Sequence, residues 1–133
     1  MGTTAAWSLG PLRSFPIVYA RSWAAVVAFY ERLGFERTFE TGEYATLTRG
    51  DSQLGVVSSD WPAQHYGLPM GDGVRFELFV YVEDVRGLYG QLVGGGVRSI
   101  RPPEAMPWGE TVAFVADPEG NPVALAMPTS STE

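Results

Sequence analysis

The side chains of this chain that could do chemistry are mainly aromatic and acidic. The sequence contains no Cys and a single His, which excludes a disulfide framework, a zinc–thiolate site and a cysteine nucleophile. It is rich in aromatic residues, with 4 Trp, 6 Tyr and 7 Phe. Indole and phenol rings stack on planar molecules and attract cations, at about 0.5–2 kcal/mol per contact. We therefore expect the chain to bind a flat, partly cationic or polar heteroaromatic ligand.

A set of candidate ligand-binding residues follows from this inventory. Six aromatic residues are expected to line a cavity, with Met106 as an adaptable filler. Glu77 would supply negative charge, with Glu104 or Glu110 as further acids. The aromatic candidates are Phe15, Phe39, Tyr44, Trp61, Tyr66 and Trp108. No residue is assigned a catalytic role.

Four of these positions also have purely structural interpretations. Trp61 and Tyr66 lie in a stretch rich in Gly and Pro, where they would cover either a pocket or a dimer interface. Trp108 would contact the ligand or close the end of a sheet. Glu77 lies in an apolar strand and would face either water or the cavity.

The element expected to position this cavity is a β-hairpin near the end of the chain. Thr111–Ala116 and Val123–Met127 are rich in β-branched and small apolar residues and are predicted strands. The five residues 117–121 between them, Asp-Pro-Glu-Gly-Asn, predict a tight turn, because Pro presets φ for the turn while Gly and Asn tolerate φ above zero. We expect one face of this hairpin to line the cavity and the rest of the chain to build the other walls.

The elements before the hairpin follow a recurring order. A strand at Phe15–Ala20 leads into a helix with Ser22 as its N-cap and Gly34 after its last turn. A strand at Val74–Val82 leads into a second helix with Asp84 as its N-cap. The remaining predicted strands are Glu36–Thr41, Tyr44–Thr48, Gln53–Val57 and Val97–Arg101, the last ended by Pro102 and Pro103. The order β-α-β-β-β therefore occurs twice, which indicates an internal repeat.

This repeat predicts the organisation of the chain. At 133 residues the chain is long enough for one domain with a real core. We expect a lead-in at 1–14, a first module at 15–57, a linker at 58–73, a second module at 74–128 and a tail at 129–133.

Charge and hydropathy exclude several classes of partner. The formal net charge is −6 and the pI is about 4.7, which argues against nucleic acid. No apolar run approaches the roughly 20 residues that span a bilayer, so no membrane partner is expected. The first residues do not have the pattern of a signal peptide, and we expect a cytoplasmic protein. Arg21, Arg75 and Arg101 are expected on the solvated surface.

Several short motifs resemble those of a known family, the vicinal oxygen chelate superfamily. They are AFYERLGF at 28–35, VYVEDV at 80–85, and PWG at 107–109 with DPEGN at 117–121. The superfamily includes glyoxalase I, extradiol dioxygenases, fosfomycin-resistance enzymes and bleomycin-resistance proteins, and the resemblance covers 15–128. It implies an α+β fold of two βαβββ modules, with curled mixed sheets around a cleft and the helices outside. It also implies a homodimer, often with modules paired across chains.

The resemblance further implies where a metal would be bound. The enzymes of the superfamily hold a divalent ion with His, Glu or Gln at matched strand positions. These positions fall at about Phe15, Gly55, Glu77 and Ala124, of which only Glu77 can bind a metal. Because three protein ligands are the norm for a catalytic ion, we expect neither a metal nor another cofactor.

Three hypotheses about function remain. The sequence resembles the bleomycin-resistance branch in length, acidity and lack of metal ligands, so we expect a metal-free protein that sequesters an antibiotic or a related aromatic or cationic metabolite, and not an enzyme. The alternatives are a metal-dependent lyase, isomerase or dioxygenase, and a metal-free enzyme that uses Glu77 as acid or base. The fold hosts both enzymes and binding proteins, so the site has to discriminate between them.

Overall fold

The computed structural model describes residues 14–67, 71–73 and 75–129. Most of the predicted lead-in and tail, together with parts of the predicted linker, lie outside these ranges. The described strands are β1 (Ile17–Ala20), β2 (Glu36–Glu40), β3 (Tyr44–Arg49), β4 (Ser52–Ser58), β5 (Leu78–Tyr81), β6 (Ser99–Ala105), β7 (Glu110–Ala116) and β8 (Pro122–Pro128). The described helices are α1 (Trp23–Glu31), α2 (Asp60–Tyr66) and α3 (Val85–Gly94).

The strands form two four-stranded mixed sheets with the same topology. The strand order is β1-β4-β3-β2 in the first sheet and β5-β8-β7-β6 in the second. The first strand of each sheet pairs in parallel with the last, and the other pairings are antiparallel. Since each first strand is followed by a helix, the predicted α+β fold of two βαβββ units is confirmed.

Local sequence explains how the two long helices begin and end. The side chain of Asp84 accepts a hydrogen bond of 2.9 Å from the backbone N–H of Gly87, which caps α3 as predicted. Gly34 follows α1 with φ of +94°, a conformation that favours glycine. Ser22 occupies the N-cap position of α1, but its side chain makes no capping bond. Its backbone N–H instead donates to Oε2 of Glu119 at 2.9 Å, so a residue from the β7–β8 turn caps this helix.

One hydrophobic core lies on the helix side of both sheets. Val26, Val27 and Tyr30 of α1 belong to the same buried cluster as Val85 and Leu92 of α3. The alternate residues of the strands that join this cluster include Val18, Ala20, Leu47, Leu54, Val56, Val80, Val115, Val123 and Leu125. Each sheet therefore buries one face against its helix and directs the other face away from the common core.

A charged side chain also ties the two halves together. Arg49 on β3 donates from Nε to the carbonyl oxygen of Leu33 and from Nη2 to that of Tyr81, both at 2.9 Å. It therefore joins the end of α1 to the end of β5. None of the described helices is long and apolar enough to cross a membrane.

Several other local predictions differ from the structure. Part of the predicted linker forms helix α2, with Pro62 near its start, where proline is compatible with a helix. β6 continues through Pro102 and Pro103, because it lies at the edge of its sheet and proline is tolerated there. Arg75 was expected at the surface, yet its side chain is 19% exposed and pairs with Glu119 at 3.4 Å.

Candidate ligand-binding faces

Each sheet has one face that points away from the common core, and we call these the first and second open faces. Register partners lie on the same side of a sheet, so the pairings of each strand define the two faces. The first open face carries Ile17, Tyr19, Phe39, Tyr44, Thr46, Gly55 and Val57. The second carries Phe79, Tyr81, Glu110, Val112, Phe114, Ala124 and Ala126.

Tyr44 is the central side chain of the first open face. A Cβ atom on Gly55 would lie 2.9 Å from the Tyr44 hydroxyl, so the absence of a side chain at Gly55 lets the phenol lie across β4. Oγ1 of Thr46 donates a 2.9 Å hydrogen bond to that hydroxyl and fixes its position. The ring of Phe39 lies 6.2 Å from the ring of Tyr44 and is 57% exposed. Phe39 and Tyr44 therefore form an aromatic surface on this sheet.

Helix α2 places an indole beside this surface. Trp61 lines a cavity of about 210 Å³ together with Tyr44, Val57, Thr41 and Glu43. The cavity thus combines two aromatic rings with a carboxylate. The ring of His65, one helical turn further, stacks on Trp61 with centroids 4.0 Å apart.

Glu110 organises the second open face. Its Oε1 accepts a 2.8 Å hydrogen bond from Nε1 of Trp108, and the same carboxylate interacts with the Tyr81 hydroxyl. Hydrogen bonding to Glu110, with a smaller contribution from burial and from the negative charge of this carboxylate, raises the pKa of Tyr81 above its ordinary value. Trp108 is 60% exposed and Tyr81 is 54% exposed. Two accessible aromatic rings are therefore held beside one carboxylate.

The predicted residues divide between the two faces. Phe39, Tyr44 and Trp61 lie at the first, and Met106 and Trp108 lie at the second, where Met106 packs on Val112, Ala124 and Ala126. The ring contacts join residues of one sheet only, Phe39 with Tyr44 and Phe79 with Tyr81. A single chain does not bring the two groups together, because both faces point away from the shared core.

Three predicted positions lie at the margins of these faces. Glu77 is exposed and precedes Phe79 by two residues, and Phe15 is partly buried and precedes Ile17 by two residues. The side chain of Tyr66, at the end of α2, lies outside the described part of the chain.

Sequence reasoning missed Phe79 and Tyr81. They alternate with Leu78 and Val80, which face the core, and this period-two pattern was the signal that would have placed them on the open face with Glu77.

The comparisons with known proteins agree with this architecture. The sequence profile described as the Glyoxalase/Bleomycin resistance protein/Dioxygenase superfamily matches residues 15–125. The chain belongs to this superfamily. A bleomycin resistance protein from Klebsiella pneumoniae is 30% identical over 118 residues, which cover 83% of this chain and 87% of that protein.

Solved structures of the superfamily share the fold. A bleomycin-binding protein in complex with bleomycin is 28% identical, with a TM-score of 0.60, over 88% of this chain and 98% of that chain. A superfamily enzyme from Burkholderia phytofirmans has a TM-score of 0.75 at 22% identity, over 85% of this chain and 95% of that chain, and this likeness concerns the fold alone.

Two of the four positions at which the family resemblance implies metal ligands, Gly55 and Ala124, have no side chain that could bind an ion. The space beside Gly55 is filled by the Tyr44 phenol, and Ala124 is fully buried beneath Val112, Met106 and Phe114. Neither position offers a donor atom, and the described residues contain no group of three His, Cys, Asp or Glu side chains that could hold an ion. We therefore derive no chemical step through a metal.

Proposed function

We propose that this chain binds a planar, partly cationic small molecule without a metal, and that it sequesters an antibiotic or a related aromatic metabolite. The observation that carries the proposal is the group formed by Trp108, Tyr81 and Glu110. An exposed indole and phenol can stack on a flat ring, while the carboxylate between them attracts positive charge. Tyr44 and Trp61 with Glu43 repeat this combination on the first open face.

The names of the relatives support the same conclusion. One is a bleomycin resistance protein and another is a bleomycin-binding protein. Bleomycin or a molecule with similar planar and cationic parts is therefore the first ligand to test on this chain.

We further propose that the ligand is enclosed by two copies of the chain, with the first open face of one copy opposite the second open face of its partner. Phe39, Phe79, Tyr81 and Trp108 are between 42% and 60% exposed in a single chain. Exposed apolar groups of this size mark an interface or a binding groove. The units that pair across the copies would be the modules at 15–57 and 74–128, joined by the linker at 58–73.

Titration of Trp fluorescence tests the binding proposal. Bleomycin added to the purified protein should quench the fluorescence with a dissociation constant at roughly micromolar level. Mass spectrometry should then recover the drug unchanged. Recovery of a modified product would overturn sequestration and support an acid–base enzyme that uses Glu77, which is exposed beside the second open face. Stoichiometric zinc, nickel or iron that survives dialysis would overturn the metal-free assignment.

Light scattering after size exclusion tests the pairing of the open faces. The wild type should have the mass of two chains, and Phe79→Glu should shift it towards one chain, because the substitution buries a charge in the proposed interface. Arg86→Glu, an exposed position on α3, is the control and should leave the mass unchanged. A monomeric wild type that still binds the drug would reject the proposed pairing of two copies and leave the proposed drug binding intact.

A further inference from the structure

A groove of about 540 Å³ lies on the helix side of the chain, away from both open faces. It is bounded by α1, by the loop that follows α3 and by the β7–β8 turn. Its volume falls within the roughly 300–1,000 Å³ of small-molecule sites. It is larger than the cavity beside Trp61 and uses none of the residues assigned to ligand binding above.

Two unpaired arginines line this groove. Four of the described arginines form ion pairs with carboxylates, namely Arg21, Arg37, Arg75 and Arg101. Arg49 is bound to two carbonyl oxygens. Within the described ranges, the guanidinium groups of Arg32, Arg86 and Arg98 make no hydrogen bond or ion pair, and Arg32 and Arg98 both lie in the groove.

This placement is unusual for an acidic chain. With a net charge of −6, carboxylates outnumber cations, yet two cations remain unneutralised in one concavity. Two guanidinium groups and one carboxylate, that of Asp117, give the groove lining a formal net charge of +1, which attracts anions.

The carboxylate in the groove lining is already fully engaged. Asp117 is 3% exposed, and its oxygens accept hydrogen bonds from the Tyr30 hydroxyl, the Asn121 side-chain amide and the backbone N–H groups of Glu119 and Asn121. These four bonds are 2.7–3.0 Å long. Asp117 therefore has no capacity left to pair with either arginine.

The wall formed by α1, whose C-cap is Arg32, is otherwise small and apolar. Ala25 and Ala28 on α1 leave the groove open, and Phe29 and Pro118 add apolar surface. A Cβ atom on Gly95 would lie 3.0 Å from Nη2 of Arg32, so glycine at this position leaves room for the guanidinium to reach across from α1 to the loop after α3.

We propose that this groove binds an organic anion, whose carboxylate or phosphate group pairs with Arg32 and Arg98 and whose apolar body lies against Ala25, Ala28 and Phe29. Guanidinium groups match both kinds of oxyanion through paired N–H···O bonds. The site is separate from the one proposed at the open faces and does not depend on it.

Calorimetric titration with decanoate and with phenyl phosphate tests the proposal and distinguishes the two head groups. At least one of the anions should bind the wild type, and binding should weaken by at least about tenfold in the double variant Arg32→Gln, Arg98→Gln. Arg86→Gln removes the third unpaired arginine outside the groove and is the matched control, which should bind as the wild type does. Absence of binding by both anions up to about 5 mM, or equal binding by the double variant, would overturn the proposal.

A second variant tests the groove without altering its charge. Ala28→Phe fills the space beside Phe29 at an exposed helix position, so the fold should be retained, as measured by circular dichroism. It should reduce binding of the anion at least about fivefold and leave drug binding at the open faces unchanged. Unchanged anion binding in this variant would place the anion elsewhere and reject the site.

Discussion

The hydroxyl of Tyr30 donates a 2.7 Å hydrogen bond to Oδ2 of Asp117, and both groups are buried. Tyr30 lies on α1 of the first module, and Asp117 begins the turn of the closing hairpin in the second. The bond therefore joins the two halves of the chain across 87 residues of sequence. It also links the helix that forms one wall of the groove to the turn that forms another.

Removing this hydroxyl should destabilise the protein. Tyr30→Phe leaves a buried carboxylate oxygen with one donor fewer, and we expect the free energy of unfolding to fall by about 1–2 kcal/mol. Urea denaturation measures this change. The control is Tyr89→Phe, which breaks an exposed 2.7 Å hydrogen bond to Ser99 and should cost less than about 0.5 kcal/mol. Equal losses in the two variants would contradict the role assigned to the buried bond.

The same residue predicts a loss of stability at alkaline pH. Burial, the negative charge of Asp117 and the hydrogen bond to it raise the pKa of Tyr30 far above its ordinary value. In the unfolded chain the phenol loses its proton at about pH 10, while in the folded protein it keeps it. The unfolded state then binds fewer protons, so the free energy of unfolding falls as pH rises above about 10, by up to about 1.4 kcal/mol per pH unit. Below about pH 9 this residue adds no pH dependence.

Unfolding curves at about pH 9, 10 and 11 test this sign. Tyr30→Phe should flatten the decline, whereas Tyr89→Phe, which removes a partly buried phenol, should retain it. A wild type and a Tyr30→Phe variant with the same slope would show that the buried phenol does not govern the alkaline range.

The sequence predicts best what is decided by neighbouring residues. The closing hairpin was predicted almost to its boundaries, because Asp-Pro-Glu-Gly-Asn dictates a turn with little help from the rest of the fold. The N-cap at Asp84 and the glycine at Gly34 are local in the same sense. The ends of β5 were not predicted correctly. The strand begins at Leu78 instead of Val74, because it forms only where β8 lies beside it and pairs with it.

Contacts between residues far apart in the chain could not be predicted from the sequence, for a physical reason. Asp117 has all the features of a turn residue, and nothing near it in the chain indicates that Tyr30 will also bond to its carboxylate. The aromatic candidates were chosen by residue type, and the structure places Phe39, Tyr44 and Trp108 on the outward faces of the two sheets. Their division between two open faces depends on how the modules share a core, and this is set by packing between α1, α3 and both sheets.

Glu119 provides a second test of the contact between the halves. Its side chain is 4% exposed, caps α1 through the N–H of Ser22 and lies 3.6 and 3.4 Å from Arg21 and Arg75. Glu119→Gln removes the charge that these cations face, and we expect the free energy of unfolding to fall by about 1–3 kcal/mol in urea. Glu104→Gln removes an exposed pair with Arg101 and should change it by less than about 0.5 kcal/mol. An effect of Glu119→Gln as small as that of the control would refute the buried network.

Trp108 should contribute directly to ligand binding. Trp108→Ala removes the exposed indole, and we expect the affinity for bleomycin to fall by about fivefold, corresponding to about 1 kcal/mol of stacking. Calorimetry is the suitable measurement, because the variant also loses a fluorophore. Tyr89→Ala deletes an aromatic side chain on the helix side of the second sheet and should not alter the affinity. Full affinity in Trp108→Ala would indicate that the indole only closes the end of the sheet.

A substitution at Glu110 can separate the effect of the site's negative charge on ligand affinity from the effect of its shape. Glu110→Gln keeps an oxygen that can accept from Trp108 and Tyr81 but removes the negative charge. A planar cation such as ethidium should therefore bind about threefold to tenfold more weakly, whereas a neutral planar dye such as coumarin should bind as before. Glu83→Gln, at an exposed position between β5 and α3, is the matched control for the change in net charge. An equal loss of affinity for both dyes would mean that Glu110 acts by holding the rings in place. Unchanged affinity for both would mean that the carboxylate does not face the ligand. In either case the proposed role of its charge is wrong.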